Sequence, residues 1–285
     1  IGRRSVNSFT GEDIRKASKW AYKFYKELGT KSPFFRAWFG DWRQYDKSPA
    51  RFFTNIELLN ITDTKSAVSY FKSKLKSGEL FRGDVVNKDT NFKINIGTFV
   101  YNDTLTYANR ALSRSKDVDL YRAEMSVINN IRDIVENAIY LETSVADGKK
   151  DNTGTYQSFY HYFYSLVQVD GKPYMVRLAV DEHNSSTTVR RAYNVESIEI
   201  SPVAVSQVYK PAVTTSDNGE KLSTVSISDL FDIVKQYDKN FSPKPVSPEF
   251  VNDDGTPKVW YHSTNADFTS FKRGSGVLGD GIYFS

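Results

Sequence analysis

The 285-residue chain has no cysteine, and histidine appears only at His161, His183 and His262. Missing thiols exclude disulfides, zinc–thiolate centres, iron–sulfur clusters and a cysteine nucleophile. Three scattered histidines leave too few ligands for a histidine-rich centre, so no metal is expected. No apolar run approaches the about 20 residues that cross a bilayer, and no membrane role is expected. The opening IGRRSVNSFTGED lacks the apolar segment of a secretory signal, which points to the cytoplasm. What is present, 39% hydrophobic and 25% charged residues, is a globular composition, neither collagen-like nor wholly disordered. The length suffices for one large domain or two to three small ones. The chain starts without Met and stops at Ser285 inside an apolar run, so it is expected to be a fragment.

The net charge of +4 is unevenly spread. Residues 1–55 hold twelve Lys/Arg against five Asp/Glu, a net +7, which leaves −3 for the remainder. Trp20, Phe34, Phe35, Trp38 and Trp42 lie in the same segment. Basic residues interleaved with aromatics read as a nucleic-acid surface, or as a helical core face with solvated lysines. Ile14, Ala17, Trp20, Ala21, Phe24 and Leu28 recur at helical spacing up to Gly29. Ser32-Pro33 opens a second helix ending near Gly40, and a third spans 64–77, with Ala67, Val68, Phe71 and Leu75 on one face.

Strand-like alternation then appears at 80–82 and 92–96. Helices are expected at 104–114 and 120–139, and Ile139-Tyr140-Leu141 leaves the latter as a strand. Three strands follow at 159–169, 173–181 and 189–200, the first two joined by the hairpin pair Asp170-Gly171. His183 falls in a polar loop, DEHNSST. After Ser201 the chain loosens, forms one helix from Ser228 to Tyr237, and enters the Pro-rich linker 242–248. The fold class is α+β: N-terminal helices (1–79), a central helix-plus-antiparallel-sheet domain (80–201), a helix and linker (202–248) and an incomplete β-rich segment (249–285).

The last segment carries Tyr261-His262-Ser263, the pair Phe268 and Phe271, and Gly279-Asp280-Gly281-Ile282-Tyr283-Phe284. Together these resemble the first half of an ADP-ribosyltransferase of the diphtheria-toxin and poly(ADP-ribose) polymerase group, in the form found in large polyvalent proteins of phages and mobile elements. The resemblance implies NAD as substrate. His262 and Ser263 would hold the nicotinamide ribose and carboxamide, Gly281 would allow close approach, and Tyr283 would stack on the ring. Departure of nicotinamide leaves an oxocarbenium-like sugar, which such sites stabilise with a Glu on a later strand. No residue follows Ser285 to supply it, so activity is expected of the parent protein, on a host macromolecule, and not of this chain. Virion delivery into the host cell would fit such a parent. KSPFFRAWFGDW also resembles a segment of polyvalent phage proteins.

Residues 80–201, with YLE…FYHYFYSLVQVDGKPYMVRLAV, resemble a polyvalent-protein-associated domain of the barnase/EndoU/colicin/RelE nuclease-like fold. That resemblance implies metal-independent RNA cleavage by a general base, a general acid and a cation. His161, Tyr164, Arg177, His183, Arg190 and Tyr193 are of suitable type, and His161 and Arg177 carry the reading. On strand 159–169, Phe159, His161, Phe163, Val167 and Val169 share one face, while Tyr160, Tyr162, Tyr164 and Leu166 share the other. Both faces are aromatic, and His161 reads either as a packed core histidine or as a catalyst. A non-catalytic protein-interaction module is the third reading.

Overall fold

A computed structural model describes residues 22, 24, 26–97, 117–145, 159–184, 191–204, 212–215, 219, 221–246, 252, 274–276 and 279–281. The chain divides into two compact units, Ile1–Pro245 and Val246–Ser285.

In the first unit, a helical stretch burying Phe24 and Leu28 ends at a turn over Gly29–Lys31, where Gly29 has φ +55°. Helix α1 (Pro33–Phe39) follows with Pro at its first position, where a missing N–H costs no hydrogen bond. Strand β1 (Pro49–Ile56) comes next, inside the stretch expected to be helical. Its Phe52-Phe53 pair breaks period-two alternation. The strand is buried on both faces, with Ala50 and Phe52 in one core and Phe53 and Ile56 in the other. Helix α2 (Thr64–Ser77) is capped by Asp63, which accepts from the Ser66 N–H at 3.0 Å, and it stops at Gly78 in the left-handed conformation.

Short strands β2 (Gly83–Val86) and β3 (Lys93–Ile96) pair antiparallel. The helix expected at 104–114 lies outside the described residues. The apolar stripe expected as one helix over 120–139 forms two, α3 (Val118–Asn129) and α4 (Ile131–Asn137). Asn130 divides them: its side-chain amide donates to the Ser126 carbonyl at 2.8 Å, and its backbone leaves the helical range at φ −109°, ψ 18°. Strands β4 (Ile139–Val145), β5 (Phe159–Val169), β6 (Lys172–Asn184) and β7 (Arg191–Pro202) follow. The stretch read as loose after Ser201 contains β8 (Ala212–Thr215) and β9 (Lys221–Ser226). Helix α5 (Ile227–Tyr237) begins with a reciprocal capping box between Ser226 and Asp229.

Among the described residues, nine strands form one sheet in the order β2-β3-β7-β6-β5-β1-β9-β8, with β4 paired to β5. The sheet is mixed and not wholly antiparallel, because β1 pairs β5 and β3 pairs β7 in parallel. Its two faces support separate cores. Residues of α2, α3 and α4 pack with Phe163, Val167, Val176 and Leu178 on one side. On the other, Leu230, Phe231 and Val234 of α5 cover Tyr164, Leu166 and Met175. The doubly aromatic pattern of β5 therefore reflects burial on both sides. Each such side chain contributes roughly 1.5–3 kcal/mol on leaving water.

The β5–β6 turn has Asp170 at φ 51° and Gly171 at φ 73°, the left-handed pair of a tight hairpin. A Cβ on Gly171 would meet nothing within 4 Å. Gly171→Ala is therefore expected to cost only the backbone strain of about 1 kcal/mol, read as a small drop in the urea midpoint. A loss several times larger would mean that the turn is packed in a way its open surroundings do not suggest.

In the second unit, β10 (Gly274–Gly276) and β11 (Gly279–Gly281) form an antiparallel pair. No helix among the described residues is long and apolar enough to cross a membrane.

Candidate functional site

Strand pairing around β5 assembles a line of polar groups inside an apolar layer. A register irregularity between Tyr140 and Glu142 sets Thr143 opposite His161. The Tyr140 hydroxyl lies 2.7 Å from Thr143 Oγ1, which lies 2.7 Å from His161 Nδ1. His161 Nε2 is 2.9 Å from Glu182 Oε2. Glu182 comes from β6, whose pairing with β7 runs on to Asn184↔Arg191. The sequence DEHNSST, expected as a loop, thus begins as strand, and its alternation turns Glu182 toward His161. The backbone of His183 lies in that same strand, not in a loop.

His161 and Glu182 are both excluded from solvent, the histidine at 0% exposure. Phe24, Phe92, Tyr140 and Tyr193 surround the imidazole with ring centroids 5.3–6.1 Å away, and Phe92 stacks on Tyr193 at 4.3 Å. Burial pushes the Tyr140 hydroxyl up to about 12, against smaller opposing effects from its Thr143 hydrogen bond and the charges of Arg36 and Arg43. Burial also raises the Glu27 carboxyl, with the Glu182 charge adding to it. A hydroxyl, an imidazole and a carboxylate in sequence is the arrangement that activates a nucleophile. Here it is sealed by aromatic rings, and its immediate effect is to lock β4, β5 and β6 together with satisfied hydrogen bonds.

Arg177 occupies the opposite face of the sheet. Its guanidinium lies 4.1 Å over the Tyr162 ring, 3.2 Å from Glu199 Oε2 and 3.2 Å from Asp238 Oδ2. Tyr164 donates to the same Asp238 oxygen at 2.9 Å. Burial, and then the Asp238 charge, raises the Tyr164 hydroxyl well above the usual phenol range. Nearby Arg36 bonds Asp41 and the Leu141 carbonyl, while Asp41 also pairs with the backbone of Lys244. Half-buried Glu142 titrates above the ordinary carboxylate range because burial outweighs the attraction of Arg36 and Arg177. The structure does not bring His161 and Arg177 together. Two guanidiniums face Asp41, Glu142, Glu199 and Asp238, and the surplus of carboxylates opposes the approach of a phosphodiester.

Several described cations of the opening segment are engaged within the fold, while Lys26 and Lys47 are exposed. Asp89 receives Lys31, Arg43 (Nη2 to Oδ1, 2.7 Å) and the Tyr140 N–H (3.0 Å). Arg43 further pairs with Asp46, Lys47 donates to Ser228 Oγ at 3.0 Å, and Arg51 lies over Phe53. Among the described residues no group of three His, Asp or Glu is placed to hold a metal ion.

Gly281 lies in β11, paired with Gly274. His262, Ser263 and Tyr283, the other residues expected to contact NAD, fall outside the described residues, as does Arg190. Tyr140, Thr143 and Glu182 escaped the sequence reading, and only an extended β6 alternation could have signalled Glu182.

No curated protein and no solved structure matches this chain. Residues 62–193 match the family model described as large polyvalent protein-associated domain 3, and this stretch, which holds Tyr140, Thr143, His161 and Glu182, is similar to a polyvalent-protein-associated domain.

Proposed function

We propose that this chain is a non-catalytic binding portion of a larger polyvalent protein. The observation that carries the reading is the separation of His161 and Arg177 onto opposite faces of the sheet, each already bonded to internal partners. A metal-independent RNA-cleaving centre needs its base and its cation around one scissile phosphate. The burial of His161 and the acidic surroundings of Arg177 both run against that chemistry. ADP-ribose transfer by the parent rests on the resemblance of residues 249–285, chiefly His262, Ser263 and Tyr283.

Incubating the chain with labelled RNA in EDTA is expected to leave the RNA at full length, for wild type and Arg177→Ala alike. Metal-independent shortening that disappears in Arg177→Ala, with an unchanged circular dichroism spectrum, overturns the proposal in favour of a nuclease. Calorimetric titration with NAD is expected to give no binding heat. Saturable heat lost in Tyr283→Ala overturns it in favour of an NAD site.

A further inference from the structure

We propose that the outer face of α2 is a docking surface for double-stranded nucleic acid, an inference that rests on the chain binding its partners without cleaving them. The helix sequence TKSAVSYFKSKLKS contains four lysines and no acidic residue. Lys65, Lys72 and Lys76 are exposed, and their spacings of seven and four residues keep them on one stripe of the helix. Among the described residues none of the three makes an ion pair or hydrogen bond through its side chain. Lys74, off that stripe, is held by Glu79 and lies over the Tyr70 ring. The contrast is with Lys31, Arg36 and Arg43 of the opening segment, which are paired with Asp89, Asp41 and Asp46, whereas these three lysines project into solvent.

Charge selects the partner. At about 1.5 Å per residue the three ammonium groups span roughly 17 Å of helix, with exposed Ser69 and Ser73 beside them as hydroxyl donors. Asp63, the nearest acid in the sequence, is turned onto the Ser66 N–H and hydroxyl at the helix cap. A row of cations without interleaved carboxylates suits a phosphate backbone. Among the described residues of α2 no aromatic face is open for stacking, which favours a duplex over a single strand. Phe71 is buried, and the Tyr70 hydroxyl donates to Asn129 while Lys74 lies over its ring. Single-strand binders depend on aromatic faces that bases can stack on.

The test is fluorescence anisotropy of a labelled 20-base-pair duplex against the whole chain at several salt concentrations. Wild type is expected to bind with a steep salt dependence. Lys65→Ala/Lys72→Ala/Lys76→Ala is expected to weaken binding at least about tenfold and to lower the log–log salt slope by roughly 2 to 3. The matching triple Arg variant keeps the affinity. No binding at low salt, binding unchanged in the triple Ala variant, or tighter binding of a single strand or of polyglutamate overturns the inference. Running the same probe on a denaturing gel separates the two proposals. A shortened probe counts against the non-catalytic reading, and unchanged anisotropy counts against the α2 surface.

Discussion

Glu182→Leu is expected to lower the unfolding free energy by about 3–5 kcal/mol, a large share of the stability of a domain this size. The carboxylate has no access to water and meets His161 Nε2 at 2.9 Å. Its removal leaves an imidazole nitrogen facing Phe24, Phe92 and Tyr193 with nothing to bond, and that desolvated group supplies most of the cost. His161→Phe is expected to cost a comparable amount, because buried Glu182 then loses its bond to the imidazole and Thr143 keeps only the Tyr140 hydroxyl. The double variant is the informative one. With both polar groups gone the site becomes an apolar contact, and the combined loss should fall short of the sum of the singles by at least about 1 kcal/mol. Urea midpoints for the four proteins at pH 7 measure this coupling. Strict additivity would mean that the two side chains do not depend on each other, and the assignment of a locking network would be wrong.

How far the sequence revealed these features depends on whether neighbours in the chain or partners across the sheet decide them. The β5–β6 hairpin was legible because Asp170-Gly171 specifies the turn locally, and the register from Val169↔Lys172 to Phe159↔Glu182 follows from it. The α5 segment was legible because Leu230, Phe231 and Val234 fall on one helical stripe, although the helix starts at Ile227 behind a Ser226 cap and not at Ser228. Strand β1 was not. Its parallel pairing with β5 joins Phe52 to Leu166, more than a hundred residues away, and no local pattern records that contact. β8 and β9 escaped for a related reason: AVTT and KLSTVS are too polar to read as strands until β1 supplies an edge for β9. His161 shows the limit for the site itself. The sequence placed it correctly on the Phe/Val face of β5, but its meaning depends on Glu182 and Thr143, which arrive from two other strands.

The chain should also lose stability as pH rises through the neutral range, through a single carboxyl on α3. Glu124 is 8% exposed, and among the described residues no hydrogen bond or ion pair reaches its carboxyl. Burial, with a smaller addition from the charge of Glu199, pushes its pKa up to about 8. The folded protein therefore keeps a proton that the unfolded chain releases near pH 4.5. Between about pH 4.5 and pH 8 the folded state binds more protons than the unfolded one, so stability falls with rising pH and levels off above pH 8. The full effect is on the order of 5 kcal/mol. Glu27 and Glu142 are shifted in the same direction and add to the slope, so wild type alone does not isolate Glu124. Glu124→Gln does. It keeps the shape and removes the proton, and it is expected to match wild type near pH 4.5 but to exceed it by a few kcal/mol at pH 8.5. Denaturant midpoints for the two proteins across that range decide the point. Parallel curves would place the Glu124 carboxyl in contact with water or a cation, and the buried, unpaired assignment would fail.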